Sequence, residues 1–231
     1  MRDTQTLIQT SKNNEFSKQS DQEQIKLLEV LGRVGNKIAR GPAPAFNEAH
    51  TIKTLEIIEN AGILGRITMS NKLELGIGTT RTILKHLKNE QLITSSKHGF
   101  LLSEQGKRLF ATLRTRISEG IEVPNCSLTV GPVVVAILVR DMAHKVGRGI
   151  EQRNTAIRAG ASGATTLVYS RKKIVMPSKK NHVIKDISEI HDIVISNLHP
   201  KENDVVIFGS GENKTSAEIG AIMAAIKLLK N

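Results

Sequence analysis

The feature that most constrains the fold is the segment 70–102, in which residues typical of helix starts, helix ends and turns follow one another at short intervals. Ser70 predicts the N-cap of a short helix, Asn71–Leu75, because a serine side chain can accept a hydrogen bond from a free amide of the first turn. The run Gly76-Ile77-Gly78 predicts the end of that helix, since glycine tolerates the backbone conformations of a tight turn.

A second helix and a hairpin are predicted after this turn. The helix begins at Thr79 or Thr80 and runs to about Glu90, and its spacing places Ile83, Leu84 and Leu87 on one buried face. The segments Gln91–Thr94 and Phe100–Leu102 then flank a polar turn, a pattern typical of two paired strands.

Three further helices complete the predicted N-terminal unit. Ile25, Leu28, Leu31, Val34 and Ile38 form an apolar stripe, Asn47 caps a helix that Gly62 ends, and Ser103 caps a closing helix. Helix, short helix, turn, helix, hairpin and helix is the order of a winged helix-turn-helix, which we predict over residues 21–118. Residues 1–20 are polar without periodicity and predict a flexible arm.

The second half alternates strand and helix patterns after a polar linker, 119–125. Val133–Val139 is a continuous apolar run that predicts a buried strand, and Met142–Ala159 predicts one helix. Thr215 with Glu218 predicts a capping box at the start of the last helix. The expected fold class is therefore a two-domain α+β protein, with the winged helix followed by a C-terminal α/β domain, 126–231, of a mixed sheet and helices.

Charge indicates a polyanionic partner but does not locate its site. The net charge is +11, and basic proteins attract polyanions over long range. Segment 66–117 holds ten basic and three acidic side chains, but segment 124–231 holds fifteen basic and nine acidic ones. Cys126 is the only cysteine, and no apolar run approaches the ~20 residues of a membrane span. We therefore expect a cytoplasmic protein with no membrane partner.

The predicted DNA contacts follow from how a recognition helix enters the major groove. Side chains near its N-terminal end reach base edges, so Thr79, Thr80 and Arg81 are the candidate base-reading residues, with Lys85 and His86 about a turn further along. The candidate phosphate contacts lie in the supporting helix and in the hairpin, and they are Ser70, Asn71, Lys72, Lys97 and His98.

A glycine-containing segment in the second half is the candidate ligand site. Gly209, Ser210, Gly211 and Glu212 are predicted to lie between a strand and a helix, where free amides can bind an anion. The segment lacks the glycines of a phosphate-binding loop, and a tight structural turn is the alternative interpretation. Asp141 and His144 are the best pair for proton transfer, but no nucleophile accompanies them, so we predict no catalytic residue, metal or cofactor.

Several runs of the sequence resemble one known family. GPAPAFNEAHTIKTLEIIE, GIGTTRTILKHLKNEQLI, FLLSEQGKRLF and GIEQRNTAIRAGASGATTL are similar to archaeal winged-helix regulators with a C-terminal domain of unknown function, DUF4443, and the resemblance spans residues 41–229. It implies a transcription regulator with a sensor or dimerisation module, and we expect a homodimer with a small-molecule effector. The alternatives are a winged helix that contacts protein or RNA, and an enzyme with an accessory winged helix.

Overall fold

Asn47 begins the best-capped helix of the N-terminal half, because its side-chain oxygen accepts a hydrogen bond from the backbone N–H of His50. This helix, α2 (Glu48–Ala61), ends at Gly62, whose φ of 72° suits glycine. Both predicted boundaries are confirmed.

The computed structural model describes residues 22, 25–35, 46–177 and 188–231. The predicted arm, 1–20, and Ile38 lie outside these residues.

The first helix, α1 (residues 25–35), buries a face that is rotated from the predicted one. Leu31 and Val34 are buried as expected, but Leu27 and Val30 join them, while Ile25 is exposed. The apolar stripe of the sequence therefore covers more of the helix circumference than the core uses.

The turn between the third and fourth helices lies earlier than the glycines suggest. Helix α3 (Arg66–Leu73) begins after Gly65, and the left-handed residue that ends it is Glu74, with a φ of 53°. Helix α4 (Ile77–Asn89) begins directly after Gly76. The predicted helix starts at Asn71 and Thr79 are therefore late. The predicted end of α3 at Leu75 is late as well, because a non-glycine residue, Glu74, adopts the conformation for which glycine was expected.

The predicted hairpin is confirmed and gains a third pairing. Strands β1 (Ile93–Ser96) and β2 (Gly99–Leu102) are antiparallel, and Phe100 also exchanges two backbone hydrogen bonds with Leu64. A side chain on Gly99 would overlap the backbone of Leu64. Helix α5 (Glu104–Arg116) follows, capped by Ser103 as predicted.

The C-terminal sheet is entirely antiparallel, not mixed. Its strand order is β3-β4-β7-β5-β6, and the late strand β7 inserts between β4 and β5, which would otherwise be parallel neighbours joined by a helix. The alternating pattern could not reveal this insertion. The first strand lies inside the predicted linker. The bounds are β3 (Ile121–Val123), β4 (Val133–Val139), β5 (Gly163–Ser170), β6 (Lys173–Val175) and β7 (Val205–Gly211).

Three helices cover the two faces of this sheet. Helices α6 (Ile150–Arg158) and α8 (Lys214–Lys230) pack on one face, and α7 (Ser188–Leu198) packs on the other. The single helix predicted over Met142–Ala159 is broken into a 3₁₀ turn and α6 by Gly149, which has a φ of 73°. Helix α8 is capped by Asn213 and Ser216 instead of Thr215 and Glu218.

One apolar core runs through both halves. Leu55 and Ile58 of α2 belong to the same buried cluster as Ala221 and Ala225 of α8. This contact fixes the N-terminal helices against the α6–α8 face of the sheet. Among the described residues, no helix is both long and apolar enough to cross a membrane.

Candidate nucleic-acid interface

Helix α4 separates a buried apolar face from an exposed basic one. Ile83, Leu84 and Leu87 are buried as predicted, whereas Arg81 and Lys85 are exposed. Neither cation makes a hydrogen bond or an ion pair with any residue that the structure describes. The two long side chains are therefore available to a partner.

The threonines at the start of α4 are less accessible than predicted. Thr80 is fully buried and its hydroxyl donates to the Gly76 carbonyl at 3.1 Å, so it does not reach a base edge. Thr79 is half-buried. Because α4 begins at Ile77, both residues lie within its first turn, and the helix turns Thr80 toward the core.

The supporting helix α3 offers two of the three predicted contacts. Ser70 is buried in the middle of α3, and its hydroxyl donates to the Leu75 carbonyl, so it neither caps the helix nor faces solvent. Asn71 and Lys72 are exposed, as is Arg66 in the first turn, which sequence reasoning missed because it placed the helix start too late.

The hairpin carries the remaining predicted phosphate contacts. Lys97 and His98 are exposed in the turn, where the Ser96 hydroxyl accepts a hydrogen bond from the His98 N–H at 3.2 Å. Lys88 of α4 donates to Ser95 at 3.0 Å and ties the helix to the hairpin. His86, by contrast, lies in the core, where its Nδ1 atom is 2.9 Å from the Val34 carbonyl oxygen.

The acidic side chains of this region are already engaged. Glu90 pairs with Arg33 at 2.9 Å, and Glu74 accepts a hydrogen bond from Asn213 at 3.2 Å. Five exposed cations on α3, α4 and the hairpin have no hydrogen-bonding or ionic partner among the described residues. This cationic set is Arg66, Lys72, Arg81, Lys85 and Lys97.

The glycines before and within α4 are not required by the chain itself. Gly76 has an ordinary φ of −59°, and a Cβ atom on Gly76 or Gly78 would meet no atom within 4 Å. Glycine weakens a helix relative to alanine. The backbone at the start of α4 is therefore unusually open.

The predicted ligand segment of the second half is closed. Gly209, Ser210 and Gly211 are buried within the central strand β7, and only Glu212 is exposed. Side chains on either glycine would overlap the backbone of α8, so the glycines permit the close approach of helix and strand. Ser210 accepts a hydrogen bond from the Val130 N–H at 3.4 Å. The alternative interpretation, a structural turn, is closer to what the structure shows.

Asp141 lies in a turn held by a buried carboxylate. Its φ is 51°, and its N–H donates to Asp204 at 2.9 Å. Asp204 also accepts hydrogen bonds from Arg140 and from the Lys201 N–H, both at 2.8 Å. His144 is exposed in the 3₁₀ turn. Among the described residues, no group of His, Cys, Asp and Glu is arranged to hold a metal ion.

A chain of charges, in which the two carboxylates are buried and the two cations partly exposed, joins α2 to α8 and α5. Lys53 Nζ lies 2.7 Å from Glu218 Oε1 and 3.0 Å from Glu56 Oε1, and Glu56 Oε2 lies 2.6 Å from Arg114. Burial alone would lower the pKa of Lys53, but the Glu218 hydrogen bond and the Glu56 charge outweigh it and raise the pKa. Sequence reasoning missed this set because its residues lie up to 165 positions apart.

Comparisons with known proteins match both halves of the chain. Residues 130–228 match the family model of a domain of unknown function, DUF4443, which confirms that prediction, and residues 57–108 match the PH0730-like N-terminal domain. A similar solved structure is the hypothetical protein PH0730 from Pyrococcus horikoshii OT3. It is 27% identical, with a TM-score of 0.63, and the match covers 79% of this chain and 92% of that one. No curated protein matches the chain.

Proposed function

We propose that this chain, which carries a PH0730-like N-terminal domain and a DUF4443 domain, is a transcription regulator that binds double-stranded DNA sequence-specifically. The N-terminal helices and hairpin act as a winged helix-turn-helix, with α4 as the recognition helix. The observation that carries the proposal is the exposed face of α4, on which Arg81 and Lys85 have no partner among the described residues.

The cationic set suits the two kinds of contact that such a protein needs. Arg81 lies at the start of the second turn of α4. Its guanidinium can donate two hydrogen bonds to guanine in the major groove. Lys72, Lys85 and Lys97 supply charges for phosphates, which give affinity without sequence information. Thr80 and Ser70 are excluded from these roles by their burial.

The open start of α4 supports the same proposal. The first N–H groups of a helix have no partner within it, and they attract anions together with the helix dipole. Gly76 and Gly78 add no side chain that would keep a phosphate away. Neither glycine has another explanation in the conformation or packing of the chain.

The C-terminal domain is proposed to sense a small molecule, to dimerise, or to do both. One recognition helix covers only a half-site, so a homodimer is expected to read a full operator. Helix α8 contacts the N-terminal part at Lys53 and, through Asn213, at Glu74 in the turn before α4. A shift of α8 would therefore act directly on the position of α4.

The test is fluorescence-anisotropy binding to duplexes selected from a random pool, repeated over a salt series. Arg81→Ala should cost about 1–3 kcal/mol at the selected site and relax its sequence preference, while Lys97→Ala should weaken all duplexes alike and reduce the salt slope by about 1. Arg158→Ala, an exposed cation on α6, is the control and should bind as the parent does. The proposal fails if neither Arg81→Ala nor Lys97→Ala changes binding to any duplex.

An exposed apolar pair favours one alternative function. Ile67 is 67% exposed on α3 and Ile77 is 51% exposed at the start of α4, next to the proposed DNA-reading face. Apolar side chains at such a surface suit a protein partner. A protein-interaction module should show no steep dependence of duplex binding on salt, so the same salt series separates the two functions.

A further inference from the structure

The start of α6 carries free amides that no side chain caps. Gly149, with a φ of 73°, precedes the helix, and no side-chain hydrogen bond caps it. The N–H groups of Ile150, Glu151 and Gln152 have no partner among the residues that the structure describes, as expected for the first positions of a helix. Helix capping would ordinarily supply at least one acceptor here.

A buried hydroxyl without a partner lies under this turn. Thr166 of β5 is only 3% exposed, and its Oγ1 atom makes no hydrogen bond to any described residue. The oxygen lies 3.5 Å from the position that a Cβ atom on Gly149 would occupy, so it lies directly beneath the Gly149 backbone. Buried hydroxyls are normally satisfied, because an unpaired one costs free energy.

A second buried polar side chain lies at the same end of α6. Gln152 is 2% exposed, one turn before Ala156 on the face that packs against α8 and β5. Its side-chain amide forms no hydrogen bond with the described part of the chain. Thr166 Oγ1 is therefore the one buried side-chain oxygen or nitrogen without a partner in the described part of the chain, and the Gln152 side chain is a further donor at the same end of the helix.

The charges around the turn favour an anion. Arg148 and Arg153 are exposed, and neither pairs with a described residue. The nearby carboxylate of Glu151 is engaged by Lys227 at 3.0 Å. The charge at this end of α6 is therefore positive on balance, and the free amides and the Thr166 hydroxyl can all act as donors.

We propose that the α6 N-terminus, Thr166 and Gln152 bind a small oxyanion, the carboxylate or phosphate group of an effector. The amides of Ile150, Glu151 and Gln152 and the Thr166 hydroxyl donate to it, and Arg148 and Arg153 supply opposite charge. The effector of the proposed sensing role would then be a compound with a carboxylate or phosphate group. Anion binding itself does not depend on the proposed function, but any effect of the anion on DNA binding rests on it.

Binding at this site is coupled to a movement of the turn. The Thr166 oxygen is closed to solvent, so an anion reaches it only when the turn 147–149 moves outward. Gly147 and Gly149 flank Arg148 in this turn, and glycine restricts the backbone less than any other residue. Helix α6 packs on α8 where Ala156 faces Gly220, so the movement reaches the helix that contacts the N-terminal part.

The test uses the full chain without DNA, titrated with inorganic phosphate and separately with acetate, and followed by the amide NMR shifts of Ile150, Glu151 and Gln152. At least one anion should shift these signals saturably, and the responding anion identifies the phosphate or carboxylate source. Thr166→Val should weaken that binding about tenfold. The same variant should not lower the melting temperature of the free protein, because the lost hydroxyl has no partner.

A matched pair of arginine variants completes the experiment. Arg153→Ala should weaken the titration several-fold, whereas Arg158→Ala, near the other end of α6, should leave it unchanged. The site is refuted if neither anion shifts the three amides, or if Thr166→Val binds the anion as tightly as the parent. Because no duplex is present, these results are independent of whether the protein binds DNA.

Discussion

Removing one carboxylate from the buried charge chain should destabilise the whole protein. The change is Glu218→Gln, which keeps the size of the side chain and removes its charge. The Glu218 side chain is 6% exposed and lies 2.7 Å from Lys53 Nζ, so the substitution leaves a largely buried ammonium with one acidic neighbour instead of two. Glu56 cannot replace the lost charge fully, because it also pairs with Arg114.

The expected magnitude follows from the partial burial of Lys53. Removing one partner of a fully buried ion pair costs about 3–5 kcal/mol. Lys53 keeps Glu56 at 3.0 Å, and its side chain is 19% exposed, so water offsets part of the loss. We therefore expect Glu218→Gln to lower the free energy of unfolding by about 2–3 kcal/mol, just below the range for fully buried pairs.

Urea denaturation measures this change, provided that the slope with denaturant stays constant. Lys53→Met combined with Glu218→Gln removes both charges, and the double variant should recover to within about 1 kcal/mol of the parent if the cost is an unpaired charge. The control pair, Lys107 and Glu104, is 3.0 Å apart but exposed. Glu104→Gln should cost less than about 0.5 kcal/mol. Equal effects of Glu218→Gln and Glu104→Gln would refute the reasoning.

Two further predictions concern acid stability and packing. Burial lowers the pKa of His50 from 6.5 to about 4, and its Nδ1 atom accepts a hydrogen bond from the Asn47 N–H. The unfolded chain therefore binds the proton first, and stability should fall by up to about 3 kcal/mol as the pH drops from 6.5 to 4. Urea midpoints at several pH values check this, and in His50→Gln the free energy of unfolding should depend less on pH. If this variant loses as much stability as the parent between pH 6.5 and 4, His50 is not the cause. Gly209→Ala should cost about 3 kcal/mol by overpacking against α8, whereas Gly78→Ala, with open space around it, should stabilise the protein by about 0.5 kcal/mol in the same assay. Similar effects of the two substitutions would contradict the packing argument.

Local signals in the sequence located the elements of the N-terminal half well. Asn47, Gly62 and Ser103 set helix boundaries as predicted, because each acts through its own side chain or backbone on residues a few positions away. The predicted end of α3 was too late, since Glu74 adopts a left-handed backbone conformation that could not be expected from a glutamate. The start of α3 was also placed too late, because Gly65 supplies no side-chain cap, and for this reason Ser70 was expected at a helix end and Arg66 was not identified.

Features that depend on distant residues could not be predicted in the same way. The insertion of β7 between β4 and β5 decides that the sheet is antiparallel, and no periodicity encodes strand order. Gly209 and Gly211 suggested a ligand loop because the sequence does not show that α8 lies against them. Thr166 gave no signal at all, since an unsatisfied polar group is recognised only when its surroundings are known.

The position of β7 also determines the order in which the sheet can form during synthesis. Strands β4 and β5 leave the ribosome before β7 and flank a gap that it alone fills, with all seven of its residues buried. Until residues 205–211 arrive, both strands expose backbone edges that can pair with other chains. Contacts of such sequence separation form slowly. The nascent chain is therefore most prone to aggregation just before its central strand is complete.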